Sequence, residues 1–248
     1  MKNTKFLTKI FAWFESRVEP YPEATPITPS KGLFRFIWSN LEGVRVWIFV
    51  LAVLTAGIGI MEALLFQFMG KLVDWLGKFT PETLFAEKGW ALFGMVAMMV
   101  FAVLWHFVAS NVRLQTLQGV FPMRLRWNFH RLMLGQSLSF YQDEFAGRVS
   151  AKVMQTALAV RDTVMTIADM LVYVAVYFIT SGLVLAALDS WLLLPFLIWL
   201  VLFGIILKLF IPRLAKTAER QADARSLMTG RVTDAYSNIA TVKLFSHG

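Results

Sequence analysis

The chain of 248 residues has no cysteine, only three histidines and few charged residues. The absence of cysteine excludes a disulfide framework, a thiolate metal site and a cysteine nucleophile, and three scattered histidines leave little for a zinc enzyme. Charged residues make up 16% of the chain and apolar residues 57%, including 22 Phe and 9 Trp. Soluble domains are about a quarter charged and about 45–50% apolar. The composition therefore predicts an integral membrane protein.

Four apolar runs are long enough to cross a bilayer, which takes about 20 residues for roughly 30 Å of hydrocarbon. We predict spans at about 46–69, 90–109, 167–188 and 191–211. Only Asp189 and Ser190 separate the last two runs, which indicates a tight hairpin at one membrane face. The expected fold class is all-α, with four transmembrane helices.

Lysine and arginine are concentrated in three of the segments that flank these runs. The residues before the first span, the connection between the second and third spans, and the tail from Lys208 onward hold 21 of the 24, and the connection between the first and second spans holds three. Segments rich in Lys and Arg stay in the cytoplasm. We therefore expect the N-terminus, the long middle connection and the tail to be cytoplasmic. The net charge of +8 then reflects topology, and no nucleic-acid partner is expected.

Residues 1–30 combine an amphipathic segment with a proline-rich linker. Apolar side chains recur at helical spacing at Phe6, Ile10 and Phe14, and prolines then follow at positions 20, 22, 26 and 29. Residues 31–44 predict a short amphipathic helix, which is expected in the membrane interface because it directly precedes a span. The alternative is a soluble helix that binds a partner.

The middle connection keeps helical spacing of apolar residues over more than fifty residues between Ala109 and Thr166. We predict that the second helix continues to about Gln136, about 70 Å from Trp90 at 1.5 Å per residue, and is kinked at Pro122. The third helix begins near Gly147, so that the two reverse at about 139–146. The tail after Pro212 is also rich in helix formers. A simple channel has no use for such extensions. A membrane protein that is driven by a cytoplasmic domain needs them to receive the motion of that domain.

Two segments of the sequence match motifs of a known family. LGQSLSFYQD at 134–143, followed by GRVS at 147–150, resembles the first intracellular loop of ATP-binding-cassette (ABC) exporters. GRVTDAYSNIATVKLF at 230–245 resembles their second intracellular loop. The order of these motifs and the helix before the first span also fit, so that residues 31–248 resemble the six-helix transmembrane domain of that family.

The resemblance implies that short coupling helices at the two loop tips contact an ATPase domain. The first would comprise Phe140, Tyr141, Gln142, Asp143, Glu144 and Phe145, and the second Arg225, Ser226, Leu227, Met228, Thr229 and Gly230. An ordinary helix-hairpin turn is the alternative for 140–145. The resemblance also implies a second transporter half, identical or related, and a location in the cell (inner) membrane.

The chain departs from the family in what it lacks. It has no GxxxxGK[ST] phosphate loop, and the pairs Gly70-Lys71 and Gly77-Lys78 lack the rest of that motif. The fifth and sixth spans and the ATPase domain are also missing, so that we expect a truncated domain or a fragment. We expect no cofactor in this chain; ATP and Mg are implied for the missing ATPase domain.

Ionisable and polar residues inside the predicted spans are candidates for the translocation path. Glu62 is expected in the outer half of the first span, where it either lines the path together with Gln67 or faces the bundle as a hydrogen-bonded carboxyl. We expect Asp169 at the inner edge, in contact with headgroups or water, and His106 as a neutral histidine with satisfied hydrogen bonds.

Two classes of function fit these observations. The first is the membrane half of an ATP-driven exporter, and the second is an ATP-independent channel or a regulatory fragment. An intramembrane enzyme is disfavoured, because the chain offers no nucleophile with a base, and Glu62 and Asp169 are expected in opposite halves of the bilayer.

Overall fold

The structure is a computed structural model that describes residues 2–23, 31–143 and 146–245. These residues form helices and no strand. Four helices are long and apolar enough to cross a membrane: Arg45–Lys78, Pro81–Leu134, Val149–Leu188 and Ser190–Arg225. The predicted all-α membrane fold is therefore confirmed. The chain divides into two compact units, Met1–Val184 and Leu185–Gly248.

The first unit begins with two short helices, α1 (Lys2–Glu15) and α2 (Leu33–Ser39), before the first spanning helix α3 (Arg45–Lys78). The helix predicted within 31–44 is thus present and ends in a turn. Gly43 in this turn has a φ of 80°, a conformation that glycine adopts without strain. The Arg124 guanidinium packs against Gly43, and its Nε donates to the Glu42 carbonyl at 3.1 Å.

The second spanning helix is longer than a bilayer requires. It comprises α4 (Pro81–Asn111), a π-helical segment (Val112–Gly119) and α5 (Val120–Leu134). Its 54 residues correspond to about 80 Å at 1.5 Å per residue, which confirms the predicted extension. Pro122 does not end the helix. The wider π turns were not predicted, and they end three residues before this proline, which removes one backbone donor from the helix.

The chain then turns through α6 (Leu138–Asp143) into α7 (Ala146–Met165). A second π-helical segment (Thr166–Leu171) joins α7 to α8 (Val172–Leu188). The reversal predicted at about 139–146 and the early start of the third helix are therefore confirmed. Glu144 and Phe145 lie outside the described residues, as do Pro26 and Pro29 of the linker.

The second unit contains one long helix. Asp189 and a 3-10 turn (Ser190–Leu192) lead from α8 into α9 (Leu193–Ser237), and α10 (Ile239–Phe245) follows a break at Asn238. The Asp189 carboxylate accepts a hydrogen bond from the Trp191 backbone N–H at 2.9 Å, which stabilises the short connection that the sequence predicts. Pro212 lies inside α9.

The helix bounds contradict one prediction. A separate coupling helix at 225–230 is not formed, because these residues lie inside α9, and the break comes at Asn238. Residues 213–237 contain no proline and a single glycine, Gly230. The local sequence therefore gives the helix no reason to stop at 225.

The core of the first unit lies where α3, the first π segment, α5 and α7 meet, and the end of α1 contributes to it. Most of α4 remains outside this core: only 6% of its most apolar window is buried. Its exposed apolar side chains are therefore available to lipid or to other membrane helices. The buried core side chains include Phe14, Val18, Leu51, Leu54, Ile58, Val112, Leu117, Phe121, Leu125, Ala157, Val160 and Val164.

Gly59 allows the closest approach between α3 and the third spanning helix. A Cβ atom at this position would lie 3.2 Å from the Tyr177 backbone N and 3.3 Å from the Tyr173 carbonyl oxygen. Backbone atoms cannot yield as a flexible side chain can. We expect Gly59→Ala to lower the free energy of unfolding by about 1–3 kcal/mol, the usual cost of overpacking.

The matched control for this substitution is Gly70→Ala on the same helix, because nothing lies within 4 Å of the added methyl group. Thermal unfolding in detergent should show a lower midpoint for Gly59→Ala and an unchanged or higher midpoint for Gly70→Ala, since alanine is the better helix former. Equal midpoints for the two variants would show that the helices are not packed this closely.

Candidate functional site

The tip of the helical hairpin is formed by α6, which follows α5 after three residues. The Phe140 backbone N–H donates to the Ser137 hydroxyl at 3.3 Å, so that Ser137 caps the start of this helix. The Tyr141 hydroxyl donates to the Met133 carbonyl at 2.7 Å and ties α6 to the end of α5. The Phe140 and Tyr141 rings meet edge to face, with centroids 5.2 Å apart.

Several side chains at this tip remain accessible. Tyr141 is 36% exposed and Leu138 is 75% exposed, although the sequence analysis did not select Leu138. Gln142 is also exposed. An exposed aromatic and an exposed leucine on a short capped helix provide the kind of apolar anchor that fits a groove on another protein.

Two apolar cavities are lined in part by the aromatic side chains of α6. A cavity of about 510 Å³ lies between Tyr141, Trp127 and Tyr21. A smaller one of about 260 Å³ lies between Phe140, Phe129 and Phe36. Tyr141 therefore faces the segment after α1, and Phe140 faces the helix α2.

The segment after α1 is fixed along α5 by hydrogen bonds to its backbone carbonyls. Arg124 Nη1 donates to the Glu19 carbonyl at 2.8 Å. Trp127 Nε1 and Arg131 Nη1 donate to the Pro22 carbonyl at 3.2 Å and 2.9 Å. Residues 17–22 thus form a strap on the extended second helix, a feature that the sequence does not reveal because the partners are about a hundred residues apart.

A polar cluster lies between the first three spanning helices. The Tyr173 hydroxyl donates to Glu62 Oε2 at 2.5 Å, and His106 Nε2 lies 3.8 Å from Glu62 Oε1. The contact between His106 Nδ1 and the Ala102 carbonyl, at 2.9 Å, requires Nδ1 to donate, because a carbonyl oxygen only accepts. Glu62 is therefore a hydrogen-bonded carboxyl that lies between Tyr173 and His106.

A second polar group joins the two π segments to α3. Arg113 Nη2 lies 2.6 Å from Asp169 Oδ1, and the Thr55 hydroxyl donates to the same oxygen at 3.0 Å. The side chains of Arg113 and Asp169 are 41% and 19% exposed. The expectation that Asp169 meets headgroups or water is therefore wrong. Arg113, 56 residues earlier in the chain, supplies the positive charge that a carboxylate at this depth needs.

Comparison with known proteins assigns the family. The sequence profile described as the ABC transporter transmembrane region matches residues 47–247. The chain belongs to the ABC transporter transmembrane family. An "Uncharacterized ABC transporter ATP-binding protein" of Haemophilus influenzae (strain ATCC 51907 / DSM 11121 / KW20 / Rd) is 75% identical over 240 residues, which cover 97% of this chain and 39% of that protein. The chain thus spans well under half of the length of this relative. No solved structure matches this chain.

In this ABC transporter transmembrane chain, Glu62 and Asp169 lie close in level. Tyr173, which binds Glu62, follows Asp169 by four residues, or about 6 Å along the third helix. Thr55, which binds Asp169, precedes Glu62 by seven residues, or about 10 Å along α3. The two carboxyl groups are therefore separated by about 6–10 Å in level, and their placement in opposite halves of the bilayer stays a prediction.

The remaining predicted site residues are dispersed. Gln67 is half-buried on α3 and, five residues beyond Glu62, lies about 140° around the helix from it. It takes no part in the polar cluster. Of the second predicted coupling set, Arg225, Leu227 and Met228 lie on exposed parts of α9. No group of three His, Asp or Glu side chains that could hold a metal ion is found within the described ranges.

Proposed function

We propose that this chain is the transmembrane part of an ATP-driven ABC exporter, which forms the translocation path and couples it to the motion of an ATPase domain. The observation that supports this proposal most directly is the second spanning helix, which runs about 80 Å over 54 residues and ends at the α6 tip. A helix that only crosses a bilayer needs about 20 residues. The helix continues for 25 residues beyond Ala109, where the apolar run ends, and this extension carries the aromatic anchor to which a soluble domain would bind.

In this function the spans lie in the cell (inner) membrane and the long extensions lie in the cytoplasm. The Lys and Arg distribution of 21 to 3 supports this orientation. ATP and Mg would bind in an ATPase domain outside this chain, and a second half, identical or related, would complete the path. The name of the Haemophilus influenzae relative, which describes an ATP-binding protein, agrees with the presence of such a domain in proteins of this kind.

The polar cluster around Glu62 is the proposed contact point for the substrate. Its side chain is 35% exposed although it lies within a spanning helix, and the carboxyl group is positioned by Tyr173 and His106. Intramembrane carboxyl groups are costly and mark substrate and ion pathways.

Replacement of Glu62 tests this assignment. In the full-length protein, we expect Glu62→Ala to change which compounds are exported or which compounds stimulate ATP hydrolysis, because a charged or hydrogen-bonding group is lost from the path. Tyr173→Phe removes only the hydroxyl and should change the same profile less. Glu87→Ala, at an exposed acidic residue of α4, is the control. Efflux profiles of Glu62→Ala that match those of Glu87→Ala would remove Glu62 from the path.

Cross-linking from the α6 tip tests the proposed function as a whole. Because the sequence contains no cysteine, Tyr141→Cys introduces one thiol of known position, with any thiol elsewhere in the full-length protein replaced by serine. A thiol-reactive photo-crosslinker on this residue should capture an ATPase domain. The control is Phe85→Cys, an exposed aromatic position near the start of α4. Capture of lipid alone from Tyr141→Cys, or equal capture from both positions, would contradict the proposal.

A further inference from the structure

The N-terminal helix α1 is seated at the edge of the membrane-spanning part of the first unit. The Thr116 hydroxyl of the first π segment donates to the Phe14 carbonyl at 3.0 Å. Phe14 and Val18 are buried in the core. Thr116 lies seven residues beyond Ala109, where the apolar run of the second span ends, which is about 10 Å along the helix. It also lies three residues beyond Arg113, which shares the Asp169 carboxylate with Thr55, ten residues into α3. The seat of α1 is therefore at the edge of the spanning part, on the side of the long extensions.

Only one end of the apolar stripe on α1 is covered by this seat. Leu7 lies about 20° around the helix from Phe14 and so belongs to the same stripe. Phe14 is 9% exposed, whereas Leu7 is 43% exposed. Ile10 and Phe11, which lie between them, are half-buried. The stripe therefore extends beyond the protein surface that it packs on, toward the N-terminus.

Basic side chains lie on the face of α1 opposite the stripe. Lys5 and Lys9 are exposed, and each lies about 160° around the helix from Leu7. Trp13, which is 51% exposed, lies beside the stripe with the Arg17 guanidinium 3.7 Å from the centre of its ring. An apolar stripe with lysines on the opposite face and a tryptophan at its border is the pattern of a helix that lies in the headgroup region of a bilayer.

We propose that the N-terminal half of α1 lies in the membrane interface and binds anionic phospholipids through Lys5 and Lys9, while its C-terminal half stays on the first π segment. The charge of the helix matches acidic headgroups, and its position matches the membrane surface. Residues 2–23 precede the matched family region, which begins at residue 47. This lipid contact is therefore a property that the family assignment does not supply.

The seat of α1 gives this lipid contact a route to the spanning helices. The π segment that receives Phe14 also carries Arg113, the partner of Asp169 in the third helix. Lipid binding to α1 would thus stabilise the π segment of the second helix, whose Arg113 pairs with Asp169 of the third helix. The inference rests on the proposed function only for the statement that this surface is the cytoplasmic one.

A fluorescent label on Leu7 tests the inference in the full-length protein. Leu7→Cys and Ala12→Cys, each with any thiol elsewhere replaced by serine, are labelled with an environment-sensitive dye and placed in nanodiscs of phosphatidylcholine with or without phosphatidylglycerol. Ala12 is exposed on the same helix, about 140° around from Leu7, and serves as the matched control. We expect blue-shifted emission, quenching by spin-labelled lipid, and protection from aqueous dithionite at Leu7 and not at Ala12.

The lysines provide the second arm of the experiment. Each Lys near an anionic membrane surface contributes about 1 kcal/mol, so that Lys5→Gln with Lys9→Gln should lower the ratio of docked to undocked helix by about 30-fold in phosphatidylglycerol nanodiscs. In pure phosphatidylcholine the same pair of substitutions should have little effect.

Two results would overturn the inference. The first is a Leu7 label that is as accessible to dithionite as the Ala12 label in both bilayers. The second is a Leu7 label that is protected but not quenched by spin-labelled lipid, which would mean that protein covers the stripe. Neither measurement requires ATP or substrate, so that either result would leave the proposed transport function untouched.

Discussion

A full-length transporter that carries Phe140→Ala together with Tyr141→Ala is expected to lose ATP-driven transport while it remains folded and inserted in the membrane. These two rings form the aromatic anchor of α6, edge to face with centroids 5.2 Å apart. Central aromatic anchors at protein interfaces contribute at least about 2 kcal/mol each, which corresponds to about 30-fold in the equilibrium between docked and undocked ATPase domain. Transport and substrate-stimulated ATP hydrolysis should fall together, and basal hydrolysis should fall less.

The control for the tip substitution is Phe85→Ala, which makes the same chemical change at an exposed position at the start of α4. It should leave transport unchanged. Protein abundance, detergent-resistant folding and ATP binding are measured for both. Full transport by the tip variant would show that α6 is an ordinary hairpin turn, the alternative that the sequence left open.

Arg113→Ala is expected to be the most destabilising single substitution among the charged residues of the described chain. It leaves the Asp169 carboxylate, whose side chain is only 19% exposed, with Thr55 as its sole hydrogen-bond donor in this group. Breaking a fully buried ion pair costs about 3–5 kcal/mol, and this pair is partly exposed, so that we expect a loss of about 2–3 kcal/mol in the free energy of unfolding.

Removal of the carboxylate instead of the guanidinium should lower the free energy of unfolding less. Asp169→Ala leaves Arg113, whose side chain is 41% exposed and can turn its guanidinium to water. The double variant Arg113→Ala with Asp169→Asn should recover much of the stability lost in Arg113→Ala, because no unpaired charge is left. Arg161→Ala is the control: its partner Asp162 is 64% exposed, and such a pair contributes about 0–1 kcal/mol. Denaturation in detergent compares the four variants, and equal losses for Arg113→Ala and Arg161→Ala would refute the role of the ion pair.

The spanning helices could be predicted from the sequence because their signal is local. Long apolar runs and the spacing of residues such as Leu117, Phe121 and Leu125 report directly on a continuous helix. The same spacing predicted the reversal near 139–146, where α6 is found. Leu117, Phe121 and Leu125, which this spacing aligns on one face, are buried in the core.

The polar contacts could not be predicted, because they join residues that are distant in sequence. Asp169 meets Arg113 and Thr55 only after three helices have packed together. The two π segments shift the register of the residues that follow them, and nothing in the composition of 112–119 marks such a segment. A count of residues along the apolar runs therefore does not show that Glu62 and Asp169 lie within about 10 Å of each other in level.

The error at 225–230 has a different origin. The coupling helix at 225–230 was predicted from the resemblance to the family motif. The residues themselves contain no local signal for a turn. The first assignment, at 140–145, agrees with a short helix because Gly135 and Ser137 interrupt and cap the chain there. Where no glycine, proline or cap is present, as in most of 213–229, the helix continues.

The most direct test of the central claim is the distance between the two α6 tips in the assembled full-length transporter. Spin labels on Gln142→Cys, an exposed residue of α6 beside the two aromatic rings, are measured in both halves by pulsed electron paramagnetic resonance without nucleotide and after trapping with ATP, Mg and vanadate. If α6 transmits the motion of the ATPase domains, the distance between the labels shortens on trapping, whereas labels on Phe85→Cys report a smaller or opposite change. An unchanged distance between the Gln142 labels in a transporter that hydrolyses ATP and transports would contradict the account.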